Sequence, residues 1–146
     1  MRRRAPAREP RLPLRKEFAP YIRQLVRLMQ INDWRVWLAA DDPPGDPKAM
    51  AAIEMTYGRR SARICLSEAF LRDSPEEQRH TIVHELAHIF FAASEEIART
   101  EMPDGAYQSW RLMHEYGVDA VADALAPRSE ALIKLPRPRS SDQARP

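Results

Sequence analysis

Apolar positions fall into two rhythms along this chain. In PYIRQLVRLMQI, residues 20–31, Ile22, Leu25, Leu28 and Met29 recur at helical spacing behind Pro20, which predicts a helix with one apolar face. Three stretches then alternate. Trp34, Val36 and Leu38 do so in WRVWLA, Ile53, Met55 and Tyr57 in AAIEMTY, and Ala62, Ile64 and Leu66 in ARICLS. A period of two predicts strands. DDPPGDPK, 41–48, reads as a loop. GRRS, 58–61, joins the last two strands as a hairpin with a four-residue connection.

The helical rhythm returns in SPEEQRHTIVHELAHIFFAA, residues 74–93. Ser74 suits the N-cap, Pro75 the first helical position, and Glu77 completes a capping box with acid at the positive end of the dipole. Residues 94–106, SEEIARTEMPDGA, read as a polar interruption. A last helix is expected over 107–126, ending before Pro127. The order helix, three strands, helix, helix predicts an α+β fold, with helices covering one face of a small antiparallel three-stranded sheet.

Charge divides the chain in three. Residues 1–16 carry seven Arg/Lys against Glu9, and residues 127–146 carry five against Glu130 and Asp142, so with a total of +2 the span between them is acidic, at −7. The expected organisation is a basic arm over 1–16, one domain over 17–134 and a basic tail over 135–146, both ends solvated and disordered. The ends leave open a weak contact with nucleic acid or an acidic partner. No apolar stretch is long enough to span a bilayer, and no apolar segment follows the basic N-terminus, so neither a membrane anchor nor a cleaved signal is expected. Cys65 is the one cysteine, which excludes an internal disulfide and suits a reducing cytoplasm. It reads as a partly buried filler, and Trp34, Trp37 and Trp110 as packing residues.

The chemistry is concentrated in His84-Glu85-Leu86-Ala87-His88, an H-E-x-x-H motif on the strongest helix. Residues four apart share a helical face, about 5–6 Å apart at Cβ. Two imidazoles so placed can converge on one Zn2+ with Zn–N distances of about 2.0–2.1 Å. Glu85, turned about 100° from His84, is better placed to act on a bound water as general base. Left unpaired in an apolar helix, these groups would be costly, and a metal removes that cost. The competing reading is an ordinary core helix with hydrogen-bonded histidines.

A catalytic zinc needs a third protein ligand and an open position. The metzincin extension is absent, since Phe91 and Ser94 stand where Gly and His would be. The next donor cluster is HEYGVDAVADAL, 114–125, where Glu115, Asp119 and Ala122 share a stripe. Glu115 is the expected ligand and His114 its competitor. Asp119, one turn on, is placed to hold the far nitrogen of a ligand histidine, or else to form a helical salt bridge. His114 shares a stripe with Val118, Val121 and Leu125, which also suits a satisfied histidine near the core. His80 precedes His84 on the same face but lies about 12 Å along the axis from His88, too far to join one ion, and is expected to be exposed. Tyr107, Tyr116 and His114 are candidate donors to a developing oxyanion.

On these residues the chain resembles a minimal zincin metallopeptidase of the gluzincin type. HELAH is similar to the active-site helix of that clan and Glu115-x-x-x-Asp119 to the element of its second helix. It also resembles the small ImmA/IrrE-like and SprT-like families, in which a strand hairpin precedes the H-E-x-x-H helix. The resemblance implies Zn2+ on His84, His88 and Glu115, Glu85 as general base, and a protein or peptide substrate along the edge strand of the sheet. SARICLS could supply that edge. The alternative is a zinc-bearing but proteolytically inactive regulatory or interaction domain, for which a base at position 85 would have no use.

Overall fold

The computed structural model describes residues 12–137. The order of elements is α1 (Ala19–Leu28), β1 (Arg35–Leu38), β2 (Ala51–Thr56), β3 (Ser61–Leu66), α2 (Glu68–Leu71), α3 (Pro75–Ala87), α4 (Ala92–Glu101) and α5 (Asp104–Glu130), with short 3-10 turns at Arg15–Phe18, Tyr57–Arg59 and His88–Phe91. The class is α+β, as the two rhythms predict.

The sheet differs from expectation in its pairing. Its order is β1-β3-β2, with β1 parallel and β2 antiparallel to β3. It is therefore mixed, and β3 is its central strand. Strands close in sequence were expected to be neighbours, but the loop over 39–50 is long enough to carry β2 one position out, leaving room for β3 between. SARICLS is thus internal and offers no free edge to a peptide. The hairpin forms with a four-residue connection, one position earlier than the expected GRRS. Thr56 pairs with Ser61, so Tyr57–Arg60 make the four-residue connection. Its last residue, Arg60, takes the left-handed conformation at φ 44° that glycine adopts more easily. Across the outer face, Glu54 pairs with Arg63.

The inner face of the sheet meets the helices. Ala62, Ile64 and Leu66 of β3 are fully buried with Ile82, Val83 and Leu86 of α3, Val118 and Ala122 of α5, Tyr21, Ile22 and Leu25 of α1, and Phe18 of the turn before it. Each large side chain so buried contributes about 1.5–3 kcal/mol relative to exposure. Leu28, expected on the inner face of α1, is exposed, and Met29 after the helix is buried instead. On the other face of β3, Cys65 is fully buried, and burial pushes its thiol pKa up.

The helix ends depart from the expected ones. Ser74 Oγ accepts from the Glu77 amide at 3.2 Å, but the Ser74 amide donates to Asp73, so the capping box is half formed. The stretch 94–106 is not an interruption. After α3 the chain tightens into a 3-10 turn at His88–Phe91 and continues as α4. Helix α5 runs through Pro127 to Glu130, with Ala126 and Ser129 buried around the proline. At the N-terminus, Pro13 is buried and Arg15 pairs with Asp42 and Glu68, so residues 12–16 belong to the folded part and not to an arm. The remainder of the predicted arm and tail, 1–11 and 138–146, lies outside the described residues. No helix among the described residues is long and apolar enough to cross a membrane.

Candidate metal centre

The motif sits where α3 crosses α5 and meets β2. The buried face of α3, with Ile82, Val83 and Leu86, locks its rotation against the core. That rotation turns His84 and His88 toward α5, their rings 5.1 Å apart between centroids. Helix α5, anchored by Val118, Ala122 and Ala126, brings Glu115 opposite them.

Glu115 Oε2 lies 3.6 Å from His84 Nε2 and 3.8 Å from His88 Nε2. One ligand atom from each of the three residues falls within 4.8 Å of the others. Donors about 2.0–2.1 Å from a tetrahedral zinc stand roughly 3.4 Å apart. The two separations from Glu115 need only a few tenths of an ångström of closure, and the donor set, two imidazoles and one carboxylate, suits zinc. The residues present therefore fit the ion. On the far side of His84, Nδ1 meets Asp119 Oδ1 at 2.8 Å, a hydrogen bond that leaves Nε2 free to face Glu115.

Glu85 projects from α3 toward β2. Burial pushes its carboxyl pKa above the ordinary value; His88, His84 and a backbone hydrogen bond from Ile53 of β2 act against that rise. Burial works against a charge on His88, but Glu95, Glu85 and Glu115 outweigh it and its pKa is raised. The neighbouring His88 holds the Glu95 carboxyl below its ordinary value, and burial pulls His114 down.

Comparison with family models, curated proteins and solved structures finds no match to this chain. The grouping of side chains therefore carries the functional argument.

His84, Glu85, His88, Glu115 and Asp119 are brought together, five residues from α3, the 3-10 turn that follows it, and α5. His114 is not in the first group: its Nε2 faces Glu95 Oε2 at 3.7 Å, behind His88. Its ring stacks on Trp110 at 4.6 Å and meets Phe91 edge-on. Tyr107 stacks on the other partner of that pile, Trp110, and Tyr116 is 62% exposed. His80 is partly exposed and bonds Asp123 at 2.9 Å, one turn beyond the His84–Asp119 pair.

Glu95 is the residue that sequence reasoning missed. It joins His88 and His114 in a second group of donors within 4.8 Å of one another. A signal existed, since residues seven apart return to the same face of a continuous helix. Reading position 94 as the start of an interruption hid it.

Proposed function

We propose that this chain is a zinc-dependent peptidase of the cytoplasm, hydrolysing a peptide bond with Glu85 as general base. The observation that carries this reading is the convergence of His84 Nε2 and His88 Nε2 on one oxygen of Glu115, at 3.6 and 3.8 Å, beside the half-buried carboxylate of Glu85. Two imidazoles and two carboxylates so gathered form a donor set that a divalent cation would satisfy.

His84, His88 and Glu115 would hold the ion. Bound there, zinc would supply Lewis acidity and would lower the pKa of a water toward about 7. Glu85 takes the proton from the attacking water and passes it to the leaving amine. Its upward-shifted pKa suits both halves of that task better than an ordinary carboxylate would. Asp119 accepts the Nδ1–H of His84, fixing the tautomer that presents Nε2. The substrate would lie extended along β2, the outer strand whose Ile53 backbone meets Glu85, pairing with its free edge.

The test is the metal content of the purified chain beside peptide hydrolysis, for wild type, His84→Ala and Glu85→Gln. The expected result is one zinc per chain in the wild type, its loss in His84→Ala, and metal retained without turnover in Glu85→Gln. A wild type without zinc, or a Glu85→Gln variant that still turns over at the wild-type rate, would overturn the proposal.

A further inference from the structure

Behind His88 the structure places a second set of polar groups with no role in the reaction just described. Glu95 Oε2 stands 3.8 Å from His88 Nδ1 and 3.7 Å from His114 Nε2. Both Glu95 Oε2 and His114 Nε2 are buried and lack a hydrogen-bond partner. The His114 side chain is 5% exposed, and its ring is clamped between the face of Trp110 at 4.6 Å and the edge of Phe91 at 5.3 Å. Two buried, orphaned polar atoms facing each other are expensive unless something joins them.

Two occupants would satisfy them. A second metal ion would need His88 Nδ1 as a ligand while its Nε2 serves the first ion, which demands loss of both ring protons from one imidazole. A proton demands less. Closure of roughly 1 Å would bring Glu95 to charge-assisted hydrogen-bond distance of both rings at once. The same arrangement already exists at 2.8 Å on the other histidine, between His84 Nδ1 and Asp119.

We infer that Glu95 is a positioning residue for His88: it accepts the Nδ1–H of His88, and His114, held in its aromatic clamp, braces it by donating Nε2–H to the same carboxylate. The proposal rests on His88 being a zinc ligand. Its consequence is that the two ligand histidines are each oriented by their own carboxylate, one from α5 and one from α4.

The test uses the full chain and zinc itself. Zinc affinity is measured by competition with a chromophoric chelator for wild type, Glu95→Gln, Glu95→Ala, His114→Phe and, as a reference, His84→Ala. Ring protons are followed by NMR in the zinc-loaded, 15N-histidine-labelled protein. Loss of the orienting carboxylate should weaken zinc binding by about 10–100-fold in both Glu95 variants. Glu95→Gln is isosteric, so its effect stands even if the alanine variant folds poorly. His114→Phe keeps the stack on Trp110 and should weaken binding by a smaller factor. The low-field Nδ1–H signal of His88 should move upfield in the Glu95 variants while that of His84 stays in place.

Wild-type affinity in Glu95→Gln with an unmoved His88 signal would overturn the inference. So would uptake of two zinc ions by the wild type with loss of the second in Glu95→Ala, which would make Glu95 a ligand. Failure of the underlying reading shows separately: His84→Ala would then bind zinc as the wild type does, and both proposals would fall together.

Discussion

His84 and His88 approach the same oxygen of Glu115 at nearly the same distance, yet what stands behind them differs. Behind His84 is α5, whose Asp119 is half-exposed and already bonded at 2.8 Å. Behind His88 is α4, whose Glu95 is more buried and stops at 3.8 Å. The helices are anchored unequally. Helix α5 buries Val118, Ala122, Ala126 and Ser129, whereas α4 buries only Ala92 and Ala98. The tighter hydrogen bond belongs to the better-anchored helix. Precision at a candidate metal centre thus follows from how firmly each supporting element is packed, and not only from which side chains it carries.

The largest effect should treat the two histidines alike. Metal-binding free energies of about 10–16 kcal/mol are shared among three or four donors, so removing one costs on the order of a thousandfold in zinc affinity. His84→Ala and His88→Ala should each show it in a chelator competition. A loss confined to one of them would mean the front of the site is not shared.

Next comes the support on α5. Asp119→Ala should lower zinc affinity by about 10–100-fold, with the stability of the metal-free chain little changed, because Asp119 is half-exposed. If Asp119→Ala were silent while Glu95→Gln was not, the shorter distance on the α5 side would count for nothing, and the comparison would be reversed.

The anchoring itself can be altered. Ala98, 2% exposed, is one of the two residues that pin α4 to the rest of the protein. Ala98→Leu should overpack that contact and cost about 1–3 kcal/mol in urea denaturation. It should also weaken zinc binding, since α4 carries Glu95. Faster amide exchange in α4 than over Val118–Ala126 of the wild type would be the corresponding dynamic sign.

The same difference in anchoring decides what the sequence could reveal. The H-E-x-x-H helix and the Glu115–Asp119 stripe were readable because α3 and α5 pair functional positions with large buried ones, Ile82, Val83 and Leu86 in one and Val118 in the other. Helix α4 has no such stripe. Its one large apolar residue, Ile97, is 62% exposed, and its buried contacts are made by alanines, which barely mark a periodic pattern. Glu95 was lost with it. The parallel pairing of β1 with β3 was hidden for a different reason: it joins segments separated by a whole strand, and alternation specifies faces but not neighbours. Pro127 misled because a proline usually stops a helix, yet here α5 continues one short step beyond it to bury Ser129.

The smallest effect concerns Glu85, which belongs to neither support. Its pKa in the folded, metal-free chain lies above the ordinary 4.5, with burial as the main cause. Below pH 4.5 both folded and unfolded chains hold the proton, and the group contributes nothing to the difference between them. Above it the unfolded chain ionises first, so the folded state binds more protons and stability falls as pH rises through the folded pKa. His88, whose pKa is also raised, acts in the same direction: its contribution is full below the ordinary imidazole value and fades as pH rises past its folded one. Glu85→Gln removes the first effect and, by taking away one of the carboxylates around His88, part of the second. At pH 7 metal-free Glu85→Gln should be more stable than wild type, and the difference should shrink at pH 4, where the folded and unfolded chains both largely hold the proton. Urea midpoints at the two pH values measure it. A variant less stable than wild type at pH 7 would make Glu85 a structural partner of the Ile53 backbone, and a base held at a cost to stability would no longer distinguish this centre from an ordinary buried carboxylate.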